Sequence, residues 1–125
     1  MKNQVFGELI FDTGWKAKTV LVLFDKTVDI MVKAKAYYEK DGITSDQEKA
    51  FADWDSNKEQ KVSIIEKLLN DYCKSNAPEQ FIPRTLLFDR NGEYALLLDD
   101  KCDQDEGIAI CLVPNERVVL QGDYL

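Results

Sequence analysis

The chain of 125 residues contains no histidine. That removes Ser-His and Cys-His nucleophile systems, histidine general bases and imidazole metal ligands. Cysteine is scarce. Cys73, Cys102 and Cys111 are odd in number and no two have CxxC spacing, so neither a disulfide framework nor a zinc site is indicated. The six glycines are scattered, with no GxGxxG or GxxxxGK phosphate loop. No metal and no cofactor is expected. Residues 1–8 hold no apolar run of signal-peptide length, and no run elsewhere approaches the roughly 18–20 residues of a membrane span. Positive charge is also short: 16 Lys plus Arg face 23 Asp plus Glu, a net of -7. Such a chain repels nucleic-acid phosphates and anionic membrane surfaces, which argues against both as partners. These absences together predict a cytoplasmic protein in a reducing compartment.

What remains is the composition of an ordinary globular domain, 45% hydrophobic and 31% charged. One domain spanning 1–125 is expected, large enough to bury one core. The charge is uneven. Residues 1–75 carry 13 acids and 12 bases, whereas residues 76–125 carry 10 acids and 4 bases. The densest stretch is Asp99-Asp100-Lys101-Cys102-Asp103-Gln104-Asp105-Glu106, five acids against one lysine.

The pattern along the chain predicts an α+β fold in the order βββ-αα-ββββ. An antiparallel sheet of six to seven strands would carry two helices packed on one face. Residues 3–12 alternate, and residues 18–24 and 27–36 are β-branched and apolar around a break at Asp25-Lys26, which reads as a three-stranded meander. Thr44-Ser45-Asp46-Gln47 is a capping box opening a helix with Ala50, Phe51 and Trp54 on one stripe. A second cap at Ser56-Asn57-Lys58-Glu59 opens a longer helix to about Lys74, striped by Val62, Ile65, Leu68, Leu69 and Tyr72. Ala77-Pro78 should end it. Asn91-Gly92 between residues 84–90 and 93–98 predicts a hairpin with a type I′ turn. The unbroken runs Leu86-Leu87-Phe88 and Leu96-Leu97-Leu98 predict strands covered on both faces, hence mid-sheet. Residues 99–106 read as an acidic loop, followed by strands at 107–113 and 117–120.

The acidic loop invites a calcium reading, but its spacing fails. With Gly107 at position 6 of an EF-hand loop, position 1 is Cys102; with Asp103 at position 1, position 12 is Pro114. Asp99 and Asp100 are adjacent, and on a strand they point to opposite faces, which is wrong for paired acid-base chemistry. No enzyme is expected. A concentrated charge patch can steer a basic partner, so Asp99, Asp100, Asp103, Asp105 and Glu106 are candidate binding residues; the plainer reading is a solvated turn. Trp15 follows Asp12-Thr13-Gly14 in a loop. Exposed, it would anchor an interface; buried, it would cover one end of the core.

Three segments in order resemble a family of small bacterial single-domain cytoplasmic proteins of unknown function. They are Phe6-Gly7-Glu8-Leu9 with Trp15, Ile43-Thr44-Ser45-Asp46-Gln47, and Gln121-Gly122-Asp123-Tyr124-Leu125. The resemblance implies antiparallel sheet plus helices and assigns no catalytic residue. Some related families are suspected immunity proteins of toxin systems. The expectation is thus an acidic protein-binding module with a basic protein partner, such as a toxin it neutralises. The alternative is a self-associating structural domain, in which an exposed sheet edge and aromatic residues such as Trp15 form a homodimer; a hydrolase using Asp or Glu without histidine is a third reading.

Overall fold

Residues 15–34 alternate because one face of the hairpin they form meets the core and the other meets water. The computed structural model describes residues 1–73 and 76–124. It is α+β, with four helices and a mostly antiparallel sheet of seven strands. The short pieces β1 (Lys2–Asn3) and β2 (Gly7–Glu8) pair only with each other. The main sheet runs in sequence order: β3 (Ile10–Phe11), β4 (Trp15–Leu23), β5 (Lys26–Ala34), β6 (Phe81–Phe88), β7 (Tyr94–Asp100), β8 (Asp103–Val113) and β9 (Arg117–Leu120). A 3₁₀ turn at Glu39–Asp41 leads into α1 (Ser45–Ser56) and α2 (Lys58–Tyr72); α3 (Ala77–Gln80) precedes β6, and α4 (Gln121–Tyr124) follows β9.

Three expectations need correction. Residues 3–12 are not one strand; only Ile10–Phe11 joins the main sheet, because the chain before it folds into its own hairpin. The sheet is not wholly antiparallel. β5 and β6 run parallel, since the long helical connection brings the chain back to start β6 in the direction of β5. Ala77-Pro78 does not end α2 but opens α3, a place where proline's missing N–H costs nothing. The expected end of the second helix at Lys74 lies outside the described residues, as does Leu125; α2 is described to Tyr72.

The capping box forms as its sequence dictates. Thr44 Oγ1 accepts from Gln47 N at 3.0 Å, and Gln47 Oε1 accepts from Thr44 N at 3.0 Å. Gln47 is also fully buried, and its Nε2 donates to Lys35 O at 3.0 Å and Phe88 O at 3.2 Å. One side chain therefore ties α1 to the ends of the two parallel strands. On the inner face, Leu21, Ile30, Val32, Leu86, Leu96 and Ile110 pack with Trp54, Ile65 and Leu69 of the helices. Phe6, Phe51, Phe88 and Tyr94 form a chain of ring contacts with centroids 4.6 to 5.7 Å apart. Tyr72, expected on the buried stripe, is 49% exposed.

The outer face has a small core of its own. Ala95, Ala109 and Cys111 are fully buried there, with Leu97, Val119 and Tyr124 packed against them. α4 turns back after β9 and lays Tyr124 on this patch. The two-sided cover inferred for β7 from its unbroken apolar run is therefore real, and the chain's own C-terminal turn supplies part of it.

Candidate functional site

The acidic stretch is not a loop. β7 runs through Asp100 and β8 begins at Asp103, so only Lys101 and Cys102 make the turn. Asp100 and Asp103 are direct cross-strand partners, two like charges face to face. The turn holds because its backbone is tied down. Asp100 Oδ1 accepts from Cys102 N at 2.9 Å and from Gln80 Nε2 at 3.0 Å, and Lys101 N donates to Gln80 O at 2.9 Å. Gln80 is in turn fixed by the Cys73 thiol, which donates to its Oε1 at 2.6 Å.

The five acids have different surroundings. Asp99 pairs with Arg84 Nε at 2.7 Å, a bond between two half-exposed side chains worth at most about 1 kcal/mol. Asp103 Oδ1 accepts from Asp105 N at 3.2 Å. Glu106 is half-buried and accepts from Gly122 N at 2.7 Å, so it fastens the C-terminal turn. Beside it, Gln121 Nε2 donates to Leu98 O at 2.8 Å and Ile108 O at 3.2 Å across the irregular register of β7 and β8. Gly107 is required at this point. A Cβ there would collide with the Gln121 amide and with Leu98 O. Among the described residues, Asp100, Asp103, Asp105 and Glu106 have no cation within ion-pair distance. Asp99, Asp100, Lys101 and Asp103, with Ile82 and Gly107, line an open cleft of about 470 Å³. The structure thus brings Asp99, Asp100 and Asp103 together, sets Asp105 beside them, and gives Glu106 a bond inward to the chain's own end.

Trp15 lies elsewhere and is 3% exposed, so it is not a surface anchor. It begins β4 instead of standing in a loop, with Phe11 edge-on at 5.2 Å, and covers one end of the core. Its buried Nε1 finds no hydrogen-bond acceptor among the described residues.

The outer face of β4 and β5 was not singled out by the sequence, although its alternation could have marked it. Lys16 and Lys33 face each other across these strands, and Lys35 follows. Burial, with Lys16 and Lys35 nearby, holds the Lys33 ammonium below its ordinary pKa. Lys33, Lys35, Tyr37, Asp89 and Arg90 line a second cleft of about 300 Å³. Arg90 has little to offer a ligand there, because it donates to Lys35 O, Gly42 O and Asp41 O. On the opposite half of the same face, burial pushes the Tyr124 phenol up to about 12, with Cys111 and the carboxylates of Asp89 and Glu93 adding to it. Burial also raises the Cys111 thiol, which keeps it protonated and unreactive. No cluster of three or more metal-ligating side chains occurs among the described residues, and no helix of the described chain is long and apolar enough to cross a membrane.

Residues 5–104 match the family model of a domain of unknown function (DUF6985). No curated protein and no solved structure matches the chain. The matched span includes Asp99, Asp100 and Asp103 and stops before Asp105, Glu106 and the C-terminal turn.

Proposed function

The chain belongs to this family of domains of unknown function, and we propose that it is a protein-binding module whose acidic hairpin end receives a basic segment of another protein. The observation that carries this reading is the β7–β8 end, where Asp100 and Asp103 line an open cleft of about 470 Å³ together with Asp99 and Lys101 and have no ion-pair partner among the described residues. Like charges held on a rigid turn repel one another, and a basic partner relieves that repulsion on docking. A bacterial cytoplasmic immunity protein that neutralises a basic toxin is the finer form of the reading; it rests on the family resemblance and on the acidity. The reading assigns no catalytic role to this cleft.

Immobilised chain tests it. From a lysate of the native host, the wild type should retain a basic protein that elutes as salt rises, because the Debye length is already about 8 Å at roughly 0.15 M. A variant with Asp103→Asn, Asp105→Asn and Glu106→Gln should associate several-fold more slowly and lose most of the salt dependence. Its melting should hardly change, as the amide oxygen that Glu106→Gln introduces can still accept from Gly122 N. Equal retention by both proteins would overturn the reading. Self-association is a second reading, favoured by a different observation, the open edge of β4.

A further inference from the structure

Among the described residues β5 and β6 form the one parallel pair, and the helical connection between them returns the chain so that both strands end on the same side. In open sheets built of such units, ligands lodge in the crevice beyond the carboxyl ends of the parallel strands. The cleft of about 300 Å³ stands at that place. Ala36 and Tyr37 follow β5, Asp89 and Arg90 follow β6, and Lys33 and Lys35 line it beside them. It lies at the opposite end of the sheet from the acidic hairpin, because Phe88 pairs with Tyr94 whereas Phe81 pairs with Asp100. The backbone N–H groups of Ala36 and Tyr37 have no acceptor among the described residues.

The charges at this end do not balance. Lys16 reaches Asp12 at 3.7 Å and Lys35 reaches Asp89 at 3.5 Å, but Lys33 has no ion pair among the described residues. Arg90 spends Nη1 and Nη2 on backbone carbonyls and neutralises no carboxylate. Four cations thus meet two carboxylates, in a chain whose net charge is -7. The backbone holds Lys33 in this crowd. Lys16 stands directly opposite it on β4. Gly14, at a φ of 142°, leaves room for its stem: a Cβ on Gly14 would meet Lys33 Cε at 2.7 Å and Lys33 Cγ at 3.5 Å. Burial and the like charges of Lys16 and Lys35 disfavour the Lys33 ammonium, and an anion in the cleft would offset them.

We propose that this cleft binds the phosphate group of a small molecule, with Lys33 and Lys35 as its cations and the N–H groups of Ala36 and Tyr37 as further donors. The excess of positive charge matches a phosphate dianion. Lysines act on phosphate as point charges, whereas the planar fork of Arg90, which would suit a carboxylate, is already engaged. The surroundings set the size of the ligand. At roughly 0.15 M salt, charges beyond about 8 Å are largely screened, so an anion seated in the cleft feels the local excess. A nucleic acid or an acidic protein would extend over the rest of an acidic chain and be repelled. Tyr37, 89% exposed at the rim, offers its ring to the organic part of an ester. The acidic hairpin takes no part, so this inference stands or falls apart from the binding role proposed above.

Calorimetric titration of the full chain tests this with phenyl phosphate, inorganic phosphate and benzoate. Phenyl phosphate should bind one to one with millimolar affinity or tighter, and benzoate at least tenfold more weakly. Inorganic phosphate identifies the source: weaker binding than the ester assigns the cleft to an organic phosphate, and equal binding assigns it to the free ion. Lys33→Met should weaken phenyl phosphate at least tenfold while the melting temperature holds or rises, since the repulsion from Lys16 and Lys35 is relieved. Lys35→Gln should weaken it several-fold, and the triple substitution in the acidic hairpin should leave it intact. Acetylation of lysines in the wild type reads the place. Phenyl phosphate should protect Lys33 and Lys35 and leave Lys18 as reactive as before. No binding of either phosphate, unchanged binding by Lys33→Met, benzoate as tight as phenyl phosphate, or equal protection of Lys18 would overturn the inference.

Discussion

Strands β6, β7 and β8 bury residues on both faces, whereas β4 and β5 bury one face and leave the other to Lys16, Lys18, Val20, Val22, Asp29 and Lys33. The difference is written in the pattern. Tyr94-Ala95-Leu96 and Ile108 to Leu112 are apolar without a break, with small residues where the chain folds back over them. β4 and β5 alternate. The two halves meet at the parallel pair of β5 and β6, where Gln47 bonds to both. The closed half carries stability. The open half carries the unused hydrogen-bonding edge, and the acids gather at the end of the closed half where the backbone is held firmly enough to keep like charges together.

The contrast is sharpest when one apolar residue is cut back in each half. Leu96→Ala should cost about 2–5 kcal/mol in denaturant unfolding, as for a fully buried leucine, whereas Val20→Ala should stay within about 0.5 kcal/mol at dilute concentration. Similar losses at both sites would erase the distinction. Next in size is the seam. Gln47→Ala removes one of two donors from Lys35 O and from Phe88 O, which keep Arg90 Nη1 and Lys35 N, and leaves Thr44 N without its acceptor, so a cost of about 1–3 kcal/mol is expected. A loss under 0.5 kcal/mol would mean that water replaces the amide freely.

The smallest effects probe the cover of the outer face. Tyr124→Ala should cost about 1–2 kcal/mol and expose the Cys111 thiol to a thiol reagent that does not reach it in the wild type. The Tyr124 phenol also gives a pH signature. Its pKa in the folded protein, about 12, lies above the ordinary value of 10, so the stability tied to its neutral form is complete below pH 10 and is lost as pH rises through about 12. Tyr94 is raised as well, by burial first and then by Asp53, whose carboxylate accepts from its hydroxyl at 3.2 Å. Melting temperature should therefore fall between pH 10 and 12, and Tyr124→Phe should soften that fall. An unchanged alkaline limb in this variant would contradict the burial of the phenol.

Much of the fold was legible because local and tertiary demands agree. Thr44 and Gln47 cap α1 as their spacing requires, and the runs at 86–88 and 96–98 lie mid-sheet. The turns were less legible. Asn91-Gly92 carries the signature of a type I′ turn, yet only Gly92 has positive φ, and Gly92 N donates to Asp89 O in a longer connection. The two-residue turn with both φ positive is Phe24-Asp25, at 51° and 63°, which carries no such signature. Tertiary contacts impose it: Glu66 accepts the Phe24 N–H, and the Phe24 ring packs against the core. The acidic cluster was legible as a cluster. Its division was not, because only the folded chain brings Arg84 to Asp99 and Gly122 to Glu106. Trp15 was ambiguous because burial of a lone tryptophan depends on what folds over it, here the Phe11 ring and the inner-face core. The parallel β5–β6 pairing could not be read at all, since nothing local fixes where a strand lands after a long helical connection.

Amide hydrogen exchange along β4 tests the open edge most directly. In dilute protein, the amides of Lys18, Val20 and Val22 should exchange quickly, while those of Thr19 and Leu21, bonded to β5, and those of β7 should be slow. Equal protection of Val20 and Leu21 in dilute protein would contradict the account, because the edge would then be closed within the single chain.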